Sequence, residues 1–251
     1  MRGKQIMTVT GPVNANLLGT VYSHEHLIVQ PQIPDEKYIA YTLSDENASA
    51  KEVQLFANAG GKTIVEMTPI NYGRDVLAYQ RIAEKTGIYV ICCTGFHKEL
   101  FMPSWFKEKK SSQIYDEVLN EIENGIDKTS IRPGVIKMGT SFENITDQER
   151  RAVEIVARLH QDTGIMISTH CDKGTMGIEQ LDLLEHYGVS AKDVLLGHID
   201  SKHDIDYAKE LCKRGAKICI DHVGRSLSDH DAFCVQSVSY THLRAHETAA
   251  N

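Results

Sequence analysis

The sequence predicts an α/β protein, a TIM (β/α)₈-type barrel that is incomplete here, with about seven strands. Short apolar runs rich in β-branched residues alternate with amphipathic stretches of helical period. Such alternation with short joints is typical of a parallel sheet covered by helices. The length of 251 residues suits one barrel, because barrels of this class run to about 250 residues as a single domain. A hydrophobic share of 41% can fill a large core.

Seven strands and six helices are predicted in alternation along the chain. The strand candidates are 17–24, 62–67, 88–94, 132–138, 164–169, 193–198 and 216–221, and the helix candidates lie near 46–58, 73–86, 112–126, 147–162, 175–187 and 204–214. The fourth helix begins with a capping-box pattern formed by Thr146 and Glu149. Gly164 follows the same helix, where a left-handed residue is expected.

The overall composition excludes several classes of function. A formal net charge of −7, without any block of Lys or Arg, argues against a nucleic-acid surface. The six cysteines show no CxxC spacing, which indicates free thiols in a reducing compartment. No apolar leader follows the N-terminus and no run of 18 apolar residues occurs, so we expect a cytoplasmic protein without a membrane segment.

The first predicted strand ends in a histidine pair, His24 and His26. Side chains at i and i+2 of a strand point to the same side, so both imidazoles can reach one metal ion. Taken alone, the pair also fits a partly exposed polar strand end. Later predicted strands end at Lys137, His170 and His198, and the C-terminal strand ends of a barrel share one face. This clustering favours a metal site.

Four histidines can hold two divalent metal ions, one on His24 and His26 and the other on His170 and His198. Two cations about 3.5–4 Å apart need an anionic bridge. Lys137 can supply the bridge if its amine captures carbon dioxide as a carbamate, although a lone lysine at a strand end also fits a solvated tip. A hydroxide shared by both metals would then be the nucleophile.

Other polar residues near the same face are candidates for the substrate site. Asp221, at the end of the last predicted strand, either takes part in the chemistry, by orienting substrate or a metal-bound histidine, or caps the following turn. His97, Lys173 and Arg225 lie on loops at the active face and are candidates for binding an anionic substrate group. Each of them also fits a solvated loop position.

A set of motifs gives the chain a specific resemblance. In order they are Gly11-Pro12, Ser23-His24-Glu25-His26-Leu27, Gly73-Arg74-Asp75, Lys137-Met138-Gly139-Thr140-Ser141, Ser168-Thr169-His170, Gly197-His198 and Ile220-Asp221. From roughly residue 8 to residue 230 the chain resembles the phosphotriesterase-like family of the amidohydrolase superfamily. The resemblance implies a TIM barrel with two divalent metals, usually zinc, that hydrolyses phosphotriesters, lactones or other esters.

The resemblance also implies a role for each matching residue. His24 and His26 match the ligands of the first metal, and His170 and His198 match those of the second. Lys137 matches the bridging carboxylated lysine, for which some relatives have Glu.

The chain departs from the family pattern near its end. The family has an eighth strand ending in an Asp that ligates the first metal, and past Asp231 the only acidic residue here is Glu247. The segment 238–251 does not resemble the family and looks like a translated sequencing-adapter junction. We therefore expect a metal-dependent hydrolase barrel over 1–237, truncated before strand eight, and a non-family tail over 238–251.

These observations predict a zinc-dependent hydrolase of ester bonds, with lactones and carboxyl esters placed before phosphotriesters. Its expected partner is a small-molecule ester or lactone, and a full-length form is expected to be a homodimer. The alternative is a catalytically inert metal-binding module that lacks the strand-eight Asp. For the 251-residue chain itself we expect poor solubility, at most one tightly held metal and negligible turnover, because an open barrel exposes strand edges and apolar helix faces.

Overall fold

The computed structural model describes residues 4–33, 36–224 and 230–238. Within these ranges the strands are β1 (Gln5–Thr8), β2 (Gly11–Asn14), β3 (Thr20–Glu25), β4 (Gly61–Glu66), β5 (Tyr89–Gly95), β6 (Val135–Thr140), β7 (Ile167–Cys171), β8 (Val194–Gly197) and β9 (Lys217–Ile218). The α-helices are α1 (Glu46–Asn58), α2 (Val76–Thr86), α3 (Trp105–Glu108), α4 (Ser111–Asn124), α5 (Asp147–Thr163), α6 (Gly177–His186) and α7 (Ile205–Lys213). A further helical stretch covers 230–238.

Strands β3 to β9 form one sheet of seven parallel strands in sequence order. Helices connect successive strands, as a barrel of βα units requires. The predicted fold class is therefore confirmed. All seven predicted strands overlap observed ones, although the predicted strand 216–221 is paired only over Lys217–Ile218.

The sheet curls until its first and last strands approach each other. Ser23 Oγ in β3 lies 3.3 Å from Cys219 Sγ, which follows β9 and is 196 positions away in sequence. In the described ranges no backbone pairing joins β3 to β9. The curvature gathers the C-terminal ends of the seven strands around one space.

Strands β1 and β2 form an antiparallel hairpin that the sequence patterns did not predict. Val9 lies in the turn of this hairpin, and its backbone N–H donates to the carbonyl of Val90, at the start of β5, at 2.8 Å. Val9 is buried and packs with Ile64, Val90 and other core residues. The hairpin therefore covers the N-terminal ends of the strands, opposite to the candidate site.

Helix α5 fixes loops at the C-terminal ends of the strands, opposite to the hairpin. Thr146 Oγ1 accepts from the N–H of Glu149, and the Glu149 carboxylate accepts from the N–H of Thr146, as the capping-box pattern predicts. Glu149 is fully buried and also accepts from Ser141 Oγ at 2.6 Å and from the N–H of Glu99 at 2.9 Å. One helix cap thus fixes the loops that follow β5 and β6.

None of the six cysteines forms a disulfide. In the part of the chain that the structure describes, no helix is long and apolar enough to span a membrane.

Candidate active site

Four histidines from three strands meet at the C-terminal end of the sheet. His24 and His170 lie in β3 and β7, His26 follows β3, and His198 follows β8. Ring centroids are 4.6 Å apart for His24 and His198, 4.7 Å for His170 and His198, and 5.6 Å for His24 and His26. The structure thus brings together all four histidines proposed as ligands.

Several imidazole nitrogens in this group are buried without a hydrogen-bond partner. Both ring nitrogens of His24 and Nε2 of His170 are in this state. A buried polar atom without a partner costs about 1–3 kcal/mol, so such atoms need another explanation. A divalent cation would bind the one lone-pair nitrogen of each neutral ring, and the donor set therefore fits a metal site.

Burial sets the protonation of these imidazoles. It lowers the pKa of His24, His26, His97 and His170 well below the ordinary value, and the positive charge of Lys137 lowers each of them further. The rings are consequently neutral at neutral pH. Neutral imidazole is the form that ligates metals.

Lys137 lies inside β6 and not at the strand end that the sequence predicted, because β6 continues to Thr140. Its side chain is fully buried, so the alternative of a solvated tip is wrong. The amine donates to the carbonyl oxygen of Met67 at 2.7 Å. Burial lowers the pKa of Lys137 to about 8, against the opposing effect of Cys93, Glu66 and Asp221, so a sizeable fraction of the amine is neutral near physiological pH.

A hydrogen-bonded chain orients His26. Thr68 Oγ1 donates to Glu66 Oε1 at 2.6 Å, so the 2.7 Å contact between His26 Nδ1 and Thr68 Oγ1 is a bond that the ring donates. Nε2 of His26 is then the nitrogen that carries the lone pair. Glu66 is fully buried and also accepts from the N–H groups of Leu27 and Thr68.

Asp221 orients His198 in a similar way. Its Oδ1 accepts from His198 Nδ1 at 3.0 Å, and its Oδ2 accepts from the backbone N–H of His198 at 3.3 Å. Oδ2 also lies 3.5 Å from His24 Nδ1. Burial opposes the ionisation of Asp221, but the bond from His198 outweighs it and lowers the pKa of the carboxyl to about 2. Asp221 is therefore an anion at neutral pH and accepts a hydrogen bond from Nδ1 of His198.

The Gly197-His198 motif has a steric reason. A Cβ at Gly197 would lie 2.4 Å from the carbonyl oxygen of Thr169 and 3.2 Å from His24 Nδ1, so only glycine leaves room for the ring. His198 itself has a φ of 63°, a left-handed conformation that turns its side chain at the end of β8. The bonds to Asp221 hold that conformation.

A cavity of about 520 Å³ opens over the histidines. Two of the predicted substrate residues, His97 and Lys173, line it. His97 is buried with its ring centroid 4.3 Å from that of His170, and its Nδ1 accepts from the N–H of Lys98 at 2.7 Å. The Lys173 ammonium lies 4.5 Å from the centre of the Phe142 ring. Arg225, the third predicted substrate residue, lies outside the described residues.

The sequence patterns missed most of the cavity wall. Tyr38, Tyr41, Tyr72 and Phe101 line it, as do Lys98 and Asp172, which form an ion pair at 2.5 Å. These residues lie in loops and short turns, where no periodic pattern marks them. His222 is a further member; it follows Asp221 directly, and its ring stacks on that of His198 at 4.9 Å.

Three groups of His, Cys and Asp side chains among the described residues have ligand atoms close enough to hold a metal ion. Two belong to the site above: His24, Cys219 and Asp221 form one, and His198, Asp221 and His222 form another. The third lies apart from the cavity.

Comparison with known proteins supports the resemblance found in the sequence. A model described as the phosphotriesterase family matches residues 4–248. The chain belongs to the phosphotriesterase family. The predicted resemblance, including the amidohydrolase superfamily, is therefore confirmed. The match extends into the segment 238–251, whose separate origin stays a prediction.

Relatives in this family include hydrolases of lactones and of phosphoric esters. The chain is 33% identical to a phospho-furanose lactonase of Mycoplasmopsis agalactiae, over 88% of this chain and 67% of that protein. It is 32% identical to the phosphotriesterase homology protein of Escherichia coli, over 83% and 71%. A lactonase structure from Listeria monocytogenes matches with a TM-score of 0.89 and 30% identity, over 94% of this chain and 78% of that one.

Proposed function

We propose that this chain is a metal-dependent hydrolase of ester bonds, acting on lactones or carboxyl esters before phosphotriesters. The observation that carries the proposal is the set of buried histidine nitrogens without hydrogen-bond partners, gathered beside a fully buried lysine. Such a set is costly in an apo protein and is typical of a site for transition-metal cations. The lactonase names among the relatives support the order of substrates.

Two divalent cations, which we propose to be zinc, would be held by His24 with His26 and by His170 with His198. Lys137 would bridge them after its neutral amine attacks carbon dioxide, forms an N–C bond and releases a proton, leaving a carbamate whose two oxygens share one negative charge. When bound, the cations supply Lewis acidity and lower the pKa of water. Lys137 cannot form the carbamate as an ammonium, so its lowered pKa favours the reaction.

The protein side chains orient the ligands and the substrate. Asp221 accepts a hydrogen bond from Nδ1 of His198, and Thr68 accepts one from Nδ1 of His26, so both rings would present Nε2 to the metals. Tyr72 and Phe101 form an apolar wall, with ring centroids 4.8 Å apart, that limits the entry of water. Asp221 is thus proposed as a positioning residue.

The cavity also presents lysine and imidazole side chains to an anionic group on the substrate. Lys173 and His97 line it, and Lys98 lies next to His97. A lactone of furanose size that carries a phosphate fits a cavity of about 520 Å³. We therefore propose a phosphorylated lactone as the preferred substrate class, with Lys173 binding its phosphate and Arg225, beyond the described residues, as a further candidate.

Metal analysis combined with two rates tests the hydrolase. A full-length form with the eighth strand should bind close to two divalent ions at the histidines and should hydrolyse a γ-lactone faster than an aryl phosphotriester, whereas the 251-residue chain is expected to hold at most one of them tightly and to turn over negligibly. His170→Asn should lose both metal and turnover, whereas His186→Asn, at an exposed position on α6, should keep both. Full activity without metal would refute the proposal. Tight binding of metal without turnover of any ester would favour the inert metal-binding module.

The substrate class has a separate test. The kcat/KM for a phosphorylated furanose lactone should exceed that for the same lactone without phosphate. Lys173→Met should remove most of this preference and leave the unphosphorylated lactone unchanged, while Lys51→Met, exposed on α1, should change neither. Equal values for the two lactones in the unsubstituted protein would contradict the role of Lys173.

A further inference from the structure

A second group of metal-ligand side chains lies where the turn after β8 meets the helical stretch 230–238. Asp200 belongs to the turn Ile199–Lys202, and His230 and Cys234 lie four residues apart on one face of the helical stretch. Their exposed fractions are 1%, 6% and 2%. One ligand atom from each lies within 4.8 Å of the others. The sequence patterns did not single out this group.

The distances between the ligand atoms match a tetrahedral cation site. His230 Nε2 lies 3.2 Å from Asp200 Oδ2 and 3.5 Å from Cys234 Sγ, and Sγ lies 3.9 Å from Oδ2. Zinc binds nitrogen and oxygen at about 2.1 Å and sulfur at about 2.3 Å, which puts ligand atoms of a tetrahedron about 3.4–3.6 Å apart. The three atoms thus surround a point at bonding distance from each.

The arrangement differs from that of a nucleophilic cysteine. In a Cys-His-acid triad the thiol and the carboxylate contact opposite nitrogens of the imidazole ring. Here Cys234 Sγ and Asp200 Oδ2 both contact Nε2 of His230. One nitrogen has either one proton or one lone pair, and Sγ reaches Asp200 Oδ2 only at a long 3.9 Å, so the three atoms converge on one point instead of forming a relay. A cation among the three atoms serves all of them.

Neighbouring histidines hold the group in place. His203 Nε2 lies 2.5 Å from His230 Nδ1. If Nδ1 of His230 donates this bond, its Nε2 carries the lone pair that ligation needs. The N–H of His222 donates to Asp200 Oδ2 at 2.9 Å. Such outer partners are typical of metal sites, because they orient the ligands.

We propose that Asp200, His230 and Cys234 bind one divalent transition-metal ion, of the zinc or cobalt class, separate from the candidate active site. Three protein ligands leave the fourth position to a water molecule. The ion would tie the helical stretch 230–238 to the turn after β8. Because His222 contacts Asp200 and stacks on His198, it would also steady one ligand of the active site.

Cobalt loading tests this site without any measurement of activity. The full chain is stripped of metal, loaded with Co²⁺ alone, and examined for the near-ultraviolet absorption that a thiolate ligand gives to Co²⁺. The band should be present, and Cys234→Ala should abolish it and bind one ion fewer per chain. Cys212→Ala, a half-buried cysteine on α7 outside the group, should keep the band and the stoichiometry.

Cys219 provides the second control, because it lies beside His24 and Asp221 and could itself ligate cobalt. Cys219→Ala should keep the band. His230→Gln should lose the band. This variant tests the site if circular dichroism shows that Cys234→Ala does not fold. No band in the unsubstituted chain, or a band lost with Cys219 and kept without Cys234, would overturn the proposal. Because the active-site histidines are unchanged in Cys234→Ala, loss of the thiolate band reports on this site alone, and its failure is distinguishable from failure of the proposed function.

Discussion

Replacing Thr68 with valine removes the hydrogen bonds that orient His26 while it keeps the shape of the side chain. Thr68 Oγ1 accepts from His26 Nδ1 at 2.7 Å and donates to Glu66 Oε1 at 2.6 Å, and Thr68 is fully buried. Without this oxygen, the proton of His26 is no longer fixed on Nδ1. The ring can then rotate or present the wrong nitrogen to a cation.

The expected magnitude follows from these contacts. Loss of an outer partner of a metal-bound histidine typically lowers metal affinity about 10- to 100-fold, or about 1.4–2.7 kcal/mol. Loss of the bond to the buried Glu66 carboxyl should lower the free energy of unfolding by about 1–3 kcal/mol, because a buried acceptor is left with fewer donors. Both effects should therefore be measurable in one variant.

Thr63→Val is the matched control. Thr63 is a fully buried threonine on β4, and its hydroxyl donates to the carbonyl of Leu18 at 2.7 Å, away from the histidines. It should lose about 1 kcal/mol of stability and keep its metal affinity. Zinc affinity is measured by competition with a chromophoric chelator, and stability by urea unfolding of the metal-free proteins. Equal zinc affinities of the two variants would refute the assigned role of Thr68.

Three further predictions concern the surroundings of the site. Burial raises the pKa of Glu66 to about 7 from an ordinary value of 4.5, so the folded metal-free protein keeps a proton that the unfolded chain releases. Its stability should fall by about 3 kcal/mol between pH 4.5 and 8 relative to Glu66→Gln, whereas Glu84→Gln on the exposed face of α2 should follow the unsubstituted protein in urea titrations. Gly197→Ala should lower the free energy of unfolding by about 1–3 kcal/mol and weaken zinc binding, because the added Cβ meets Thr169 and His24. In the control, Gly164→Ala, the Cβ has open space around it; the free energy of unfolding should fall by about 1 kcal/mol and the zinc affinity should not change. Asp221→Asn should lower kcat about 10- to 100-fold at saturating zinc. Asp206→Asn, at an exposed position, is the control and should leave kcat unchanged. An unchanged kcat in Asp221→Asn would contradict the positioning role of Asp221.

The strand ends were predictable because two local rules act together. Apolar β-branched runs mark strands, and the carboxyl ends of parallel strands meet on one face, so the sequence alone was enough to group His24, His26, His170 and His198. The end of β6 was placed two residues too early, which made Lys137 a strand end and not a buried interior residue. The boundaries of a strand depend on its pairing with neighbouring strands, and the local sequence does not show where that pairing ends.

The hydrogen-bond partners of the proposed ligands could not be predicted in the same way. Thr68 and Glu66 lie on the chain segment of β4, about 40 residues from His26, and their contact exists only because β3 and β4 pair in parallel. The tyrosines of the cavity lie in turns without periodicity. The group of Asp200, His230 and Cys234 joins residues about 30 positions apart, and its spacing resembles no metal motif.

Burial and metal binding are linked in this site by one free-energy argument. A histidine whose pKa is lowered on folding binds fewer protons than the unfolded chain, so its cost to stability is greatest below the ordinary pKa of 6.5 and disappears as the pH rises above it. The same burial leaves neutral nitrogens without partners, which costs free energy at every pH. A cation that binds those lone pairs removes the second cost and competes with protons for the same atoms, so metal binding should stabilise the fold and weaken as the pH falls. The proposed cations would therefore remove this cost, and chelators that remove them should lower the melting temperature.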